Sequence, residues 1–290
     1  MTVRRSDLLL VAAAAVWGVS FVVVKDALTD ASPLLLLGVR FTIATLVLAP
    51  FVNLRGGFSA AELRAGLILT VLLASGFATQ AVGLQYTTPA RSAFIVAMSS
   101  VLAPVIAMVL LKHRTGWLVL LALVIAGAGI YFLTAPDAGG LNRGDMWTLI
   151  TAVVFGGHIV AVTEFSKRFE AERIVWLQLP GTAVGTLIAA LLLEPIRFEW
   201  SVGFGVALLF LAVMSTAVAL VWQMRAQREM TSARASLILC CEPVFAALTS
   251  RFFWGESFTL SQGVGAVLIL AGMVLAVLGE ARSEAVCSAG

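Results

Sequence analysis

The sequence predicts an all-α polytopic membrane protein with ten transmembrane helices, arranged as two inverted five-helix repeats. Three observations support this fold class. Hydrophobic residues make up 60% of the chain and charged residues 12%, with a mean hydropathy of +1.01, whereas a soluble domain carries about 25% charged residues. Ten apolar segments can be marked, each about 20 residues long, which is the length that spans a bilayer core. Finally, residues of the first half recur in the same order in the second half.

The predicted spans leave too little chain for a soluble domain of any size. Residues 136–145 are rich in turn formers and separate the two halves. We therefore expect a first repeat over residues 1–138, a second over 139–280, and a disordered cytoplasmic tail over 281–290. The approximate spans are 7–25, 33–52, 65–85, 89–111, 116–135, 145–165, 173–193, 202–223, 232–254 and 259–279.

The basic residues indicate the orientation of the spans. Thirteen Lys and Arg residues lie at the N-terminus, in the even-numbered gaps and in the tail, against five in the odd-numbered gaps. Loops rich in Lys and Arg remain in the cytoplasm, so both termini are predicted to be cytoplasmic. The net charge of +3 therefore reflects topology, and no basic cluster interleaved with aromatic residues indicates nucleic-acid binding. The three cysteines match neither a disulfide framework nor a zinc spacing, and no cofactor is predicted.

Polar and aromatic residues at mid-depth mark the first half. Trp17 and Ser20 lie in the middle of span one, where Trp17 is too deep for an interfacial belt, which favours a cavity role. Arg40, about two turns into span two, can reach outward or pair with a carboxylate or backbone carbonyls, and we interpret it as a structural charge. Gln80 in span three can serve either helix contact or substrate contact. Met98 precedes Pro104 in span four, where it offers an apolar contact.

The second half carries matching features. His158 lies in span six and is either a proton relay or substrate contact, or a neutral side chain hydrogen-bonded to a neighbouring helix. Trp222 and Gln223 end span eight, and Gln223 lies 143 positions after Gln80.

An acid–proline pair in span nine is the most distinctive feature of the chain. A carboxylate at the depth of Glu242 is costly unless it faces protein or water, and Pro243 frees backbone groups that need other partners. Pro104 lies 139 positions before Pro243, so we predict two broken helices that form the transport site. Glu242 can recognise a cation or couple transport to protons. Alternatively, it makes a structural hydrogen bond at the helix break, with Arg40 or Arg234 available to neutralise it.

The recurrences define an inverted repeat. An offset of 138 maps Trp17-Gly18 onto Phe155-Gly156. Because each half has an odd number of spans, the second half must enter the membrane from the opposite side. Inverted repeats are typical of alternating-access transporters that bind substrate near the midplane.

A set of residues spread over positions 7–280 also carries a family resemblance. They are Trp17-Gly18, Phe21, Lys25, Ser32-Pro33, Arg40-Phe41, Pro104, Glu242-Pro243, Gly255-Glu256, Gly263 and Gly272. With this set the chain resembles the EamA family of the drug/metabolite transporter superfamily. The resemblance implies a basket-like bundle in which spans 1–4 and 6–9 surround a central cavity. Within the family, the chain is most similar in general character to bacterial inner-membrane exporters of amino acids, including aromatic ones.

Two departures from the family pattern stand out. Many members carry asparagine where this chain has Ser20, and the first half has Lys112-His113-Arg114 in place of a Gly-Glu pair after span four.

Together these features predict a secondary carrier that exports neutral or aromatic amino acids across a bacterial inner membrane. We expect Trp17, Trp222 and Met98 to contact an apolar side chain, while Ser20, Gln80, His158 and Gln223 bind polar groups and the Pro104 and Pro243 helices act as gates. The expected partners are the bilayer and a small-molecule substrate, in a monomer or weak homodimer. Alternatives are a carrier of another metabolite or drug-like cation, a channel, and a lipid enzyme, although no nucleophile–base set supports an enzyme.

Overall fold

The computed structural model of the chain describes residues 5–53, 57–111, 117–134, 140–230, 235 and 238–289, with side chains as far as residue 279. Within these ranges the regular structure is helical, apart from an isolated backbone bridge between Ala31 and Phe198. Eight of the described helices are long and apolar enough to cross a membrane, and Trp117–Leu133 is apolar but shorter. The described chain is thus all-helical and mostly apolar, as expected of a polytopic membrane protein.

We number the described helices in chain order. Helix α8 contains an internal π-helical segment, Phe210–Val218, between two α-helical parts. The helices are α1 (Arg5–Ala27), α2 (Pro33–Leu48, continued by a 3-10 turn), α3 (Ala60–Leu84), α4 (Pro89–Leu111), α5 (Trp117–Leu133), α6 (Arg143–Ser166), α7 (Ala171–Leu193), α8 (Val202–Arg228), α9 (Glu242–Trp254) and α10 (Leu260–Ala289).

Reciprocal caps fix where two of the central helices begin. At α3 the Glu62 amide donates to the Ser59 hydroxyl (3.2 Å) and the Ser59 amide donates to the Glu62 carboxylate (2.9 Å). Asn142 and Asp145 make the same pair of bonds at α6. Such boxes satisfy amides that have no partner within the helix.

Close helix crossings bring α1 against α9 and α6 against α4. A Cβ atom added to Gly18 would lie 2.6 Å from Phe245 Cβ and 2.7 Å from the Glu242 carbonyl oxygen. A Cβ added to Gly156 would lie 2.9 Å from Ile106 Cδ1 in α4. The crossing at Gly18 therefore requires glycine, because backbone atoms of α9 lie this close, whereas at Gly156 only the tip of the Ile106 side chain would have to shift. Elsewhere α2 packs on α7, α3 packs on α6, and α5 packs along α10.

Of the two predicted helix interruptions, the structure has one. In span nine, predicted over 232–254, Cys240 and Cys241 form a turn and α9 begins at Glu242. Pro243 then lies in the first helical turn, where its missing N–H has no intrahelical acceptor to lose. In contrast, α4 remains helical through Pro104, because one missing hydrogen bond inside a membrane helix can be made up by its neighbours.

The end of the chain also differs from the prediction. The backbone of α10 is helical over residues 281–289, where the sequence predicts a disordered tail. Alanine and glutamate in this stretch favour helix. The predicted repeat boundary at 138/139 lies outside the described residues, and so does the Lys112-His113-Arg114 loop.

Candidate functional site

A cavity of about 730 Å³, measured with its opening, lies among α1, α3, α4, α6, α8 and α9, with Met273 of α10 also in its wall. Aromatic rings form much of its wall, and Phe77 and Phe155 pack edge to face with their centroids 5.4 Å apart. A mostly apolar wall with a few polar groups is typical of small-molecule sites. The polar lining consists of Ser20, Gln80, Ser99, Ser100, His158, Gln223 and Glu242.

The structure brings most of the predicted site residues together. Met98 instead packs in the hydrophobic core beside α5 and α10, and Trp222 is half-buried on another face of α8. Pro104 and Pro243 are buried within their helices and also lie outside the lining. The predicted residues that do line the cavity are Trp17, Ser20, Gln80, His158, Gln223 and Glu242.

Trp17 is held in place by α8. Its indole Nε1 donates a hydrogen bond to the Ser215 carbonyl oxygen (2.9 Å). The Ser20 hydroxyl donates to the Trp17 carbonyl (2.7 Å) within α1. Since that bond uses the only hydroxyl proton, Ser20 presents an acceptor to the cavity.

His158 both lines the cavity and has a partner on a neighbouring helix. Its Nε2 lies 3.1 Å from Gln178 Oε1 on α7, and the Gln178 carbonyl oxygen accepts a bond from the Thr182 hydroxyl (2.7 Å). Because an amide oxygen only accepts hydrogen bonds, this contact requires a proton on Nε2. The neutral ring then keeps Nδ1 as an acceptor.

Glu242 is the acid of the cavity. It is half-buried at the first position of α9, where free backbone amides and the helix dipole favour negative charge. Within the described residues, no hydrogen bond or ion pair reaches its carboxylate and no Lys or Arg lines the cavity. Arg234 lies outside the described residues.

Arg40 is buried behind the cavity wall, with 1% of its surface exposed. Its Nε donates to Thr216 Oγ1 (2.7 Å) and its Nη2 donates to Ser215 Oγ (3.1 Å). Its guanidinium carbon lies 4.8 Å from the ring centroid of Phe77. Hydroxyl groups of α8, rather than a carboxylate, are therefore its described partners.

Twelve of the described lining residues were not among the predicted site residues, and Phe77, Phe155, Ser99 and Ser100 are four of them. Phe77 precedes Gln80 by three positions and Phe155 precedes His158 by three, so each shares a helix face with a predicted residue. This three-residue spacing in the sequence therefore indicates that Phe77 and Phe155 face the same cavity as Gln80 and His158. Ser99 and Ser100 follow Met98 directly and face the cavity in its place.

Comparison with known proteins identifies a family of membrane transporters to which the sequence is similar. The model of the EamA-like transporter family matches residues 4–135 and again 142–278. An uncharacterized transporter of Archaeoglobus fulgidus is 32% identical over 274 residues, which cover 94% of this chain and 86% of the relative. The uncharacterized inner membrane transporter YicL of Salmonella typhimurium is 25% identical over 298 residues, covering 96% and 97% of the two chains.

A protein of known crystal structure has the same fold. It aligns with a TM-score of 0.70 and 19% identity, over 96% of this chain and 98% of that chain. The family model covers nearly all of the present sequence in two copies. The chain is therefore a multi-pass membrane transporter that belongs to the EamA-like transporter family.

Proposed function

We propose that this transporter is a secondary carrier that exports neutral and aromatic amino acids by alternating access between two inverted repeats, residues 1–138 and 139–280. The observation that carries the proposal is the cavity between α1, α3, α4, α6, α8 and α9, which combines an aromatic wall with amides, hydroxyls and one carboxylate. The name of the Salmonella relative supports an inner-membrane location, and the distribution of basic residues supports cytoplasmic termini.

Two observations support the inverted repeat. The family model matches the chain twice, once in each half. In addition, Gly18 and Gly156, which correspond by an offset of 138, occupy equivalent crossings: Gly18 meets Phe245 on α9 and Gly156 meets Ile106 on α4. Phe245 follows Ile106 by 139 positions, so the two contacts are related by the same internal repeat.

The lining residues suit the groups of an aromatic amino acid. The Glu242 carboxylate can bind an ammonium group, with the free His158 nitrogen and the Ser20 oxygen as further acceptors. The amides of Gln80 and Gln223 can donate to a carboxylate. The rings of Trp17, Phe77 and Phe155 can contact the side chain.

A second candidate function is the export of an amphipathic organic cation. One observation favours it: among the described lining side chains there is an acid but no Lys or Arg. A substrate carboxylate would therefore rely on neutral donors, whereas an amine has an ion-pairing partner.

Counterflow in proteoliposomes distinguishes these candidates. Liposomes are preloaded with unlabelled phenylalanine, phenethylamine or 3-phenylpropionate, and the labelled compound is added outside. Accumulation of phenylalanine with little of either analogue would support an amino-acid carrier. Accumulation of phenethylamine alone would replace it with the cation carrier, and absence of counterflow with any of the three would contradict both.

Matched variants connect transport to the cavity. Gln80→Ala removes a lining amide, whereas Gln85→Ala removes an exposed amide one turn further along. We expect the first to raise the KM for counterflow about tenfold or more, as loss of one hydrogen bond to a charged group does, and the second to leave it unchanged. Equal effects of the two variants would remove Gln80 from the proposed substrate site.

A further inference from the structure

The middle of α8 is a π-helix. Over Phe210–Val218 the backbone winds more widely than an α-helix. The Ala219 amide donates to the Met214 carbonyl, five residues back, and the Thr216 hydroxyl donates to the Leu211 carbonyl (2.8 Å), also five residues back. Short π-helical segments inside α-helices are rare and occur frequently at functional sites.

Two side chains from other helices hold this segment. Arg40 of α2 bonds to the consecutive hydroxyls of Ser215 and Thr216, and Trp17 of α1 bonds to the Ser215 carbonyl. In an α-helix that carbonyl would accept the amide of Ala219, four residues later. The bond from Trp17 thus satisfies a carbonyl that the π-helical winding leaves available, and the bonds from Arg40 fix the side chains of Ser215 and Thr216.

The π-helical segment also sets which residues of α8 face the cavity. Leu220 and Gln223 follow the segment and line the cavity, whereas Trp222 does not. An i→i+5 turn contains one residue more than an i→i+4 turn, so conversion to α-helix would shift the following residues by one position, about 100° around the axis. Trp222 would then take the place of Gln223.

We propose that Arg40 is a positioning residue that determines specificity. Through Ser215 and Thr216 it holds α8 in the π-helical register that presents the Gln223 amide, and not the Trp222 indole, to the cavity. The planar guanidinium suits this task because its fixed fork reaches two hydroxyls at once. That Gln223 contacts substrate rests on the proposed function, whereas the register itself does not.

Cysteine reactivity tests the register without knowledge of the substrate. In a background with Cys240, Cys241 and Cys287 replaced by alanine, Gln223→Cys and Trp222→Cys are introduced singly. Each is treated with methanethiosulfonate ethylammonium. A thiol reacts as its thiolate in water, so Gln223→Cys should react quickly and Trp222→Cys slowly.

Two further substitutions should reverse this order. Thr216→Val preserves the shape of the side chain but removes one of the two hydroxyls that join Arg40 to α8, and Arg40→Lys preserves the charge but removes the fork. In either variant we expect Gln223→Cys to react about tenfold more slowly and Trp222→Cys about tenfold faster, since the position that faces the cavity has moved by one residue. Thr186→Val is the control, because the Thr186 hydroxyl is buried and bonds to the Thr182 carbonyl of its own helix.

Unchanged reactivity in folded Thr216→Val protein would overturn the proposal, and this variant alone decides if Arg40→Lys does not fold. Counterflow by the same variants tests separately whether Gln223 contacts the substrate. Altered reactivity with unaltered counterflow would retain the register role of Arg40 and would remove Gln223 from the proposed substrate site.

Discussion

At the residue scale, Glu242 is the acid among the described residues that line the cavity. Its carboxylate lies at the start of α9 and faces a space that otherwise presents amides, hydroxyls, an imidazole and aromatic rings. A carboxylate within a membrane domain is costly and is retained where it has a function. We propose that Glu242 binds a substrate ammonium group or carries a proton, rather than making a structural hydrogen bond at the helix break.

Glu242→Gln should therefore abolish the pH-dependent component of transport while leaving a folded protein. Protonation removes the negative charge of the carboxylate, so binding of an ammonium group should weaken as the pH falls, and an amide cannot follow this change. Initial rates in proteoliposomes over a range of pH test this. Glu242→Asp should retain the dependence, and Glu229→Gln, at an exposed position, should match the unmodified protein. Unchanged pH dependence in Glu242→Gln would exclude a coupling role.

Depth and internal offsets predict several of the residues that line the cavity. Trp17 and His158 are predicted from their aromatic or polar character near mid-membrane and Gln223 from its offset of 143 from Gln80, and all three line the cavity. Met98 and Trp222, predicted as apolar contacts, lie elsewhere, because position along a span does not identify the face of a helix. For Trp222 the reason is specific: the π-helical segment shifts the register of α8, and hydrophobic periodicity at 3.6 residues per turn carries no sign of it.

At the scale of helices, two prolines that correspond by internal offset have different effects. The chain turns at Cys240–Cys241 before Glu242-Pro243, which starts a new helix in the membrane domain, whereas α4 continues through Pro104. The sequence correctly indicates an interruption in span nine but cannot tell which proline interrupts its helix. That outcome depends on the tertiary contacts at each site, and at α9 these include the close crossing of α1 at Gly18.

Gly18→Ala should destabilise the protein, because the added methyl group would lie under 3 Å from Phe245 and from the backbone of α9. Overpacking of this kind costs about 1–3 kcal/mol. Gly127→Ala is the matched control, since its methyl group meets nothing within 4 Å. It should be neutral or stabilising by up to about 1 kcal/mol. Thermal unfolding of the purified proteins measures both, and equal melting temperatures would contradict the predicted close crossing of α1 and α9.

At the scale of the whole molecule, polar contacts join several helices on the face that holds the start of α4 and α6. Arg91 forms a buried ion pair with Asp145, which links these two helices. Lys25 Nζ donates to the carbonyls of Leu84 (2.5 Å) and Gln85 (3.2 Å), which links α1 to the end of α3. The distribution of basic residues predicts that this face lies outside the cell. In an alternating-access cycle, such contacts must break when the cavity opens to this side.

Glu256→Ala should therefore favour the state that is open to this face. The Glu256 carboxylate accepts bonds from the Thr88 hydroxyl, the Ala90 amide and the Ser250 hydroxyl, so it ties the chain after α9 to the start of α4. Loss of about 1.4 kcal/mol from the closed state would shift the equilibrium about tenfold.

Ser20→Cys, in a background without other cysteines, should then react about tenfold faster with an impermeant methanethiosulfonate added on this side. Glu199→Ala, an exposed acid on the same face, should have no effect. Equal reactivity in both variants would show that these contacts do not hold the cavity closed.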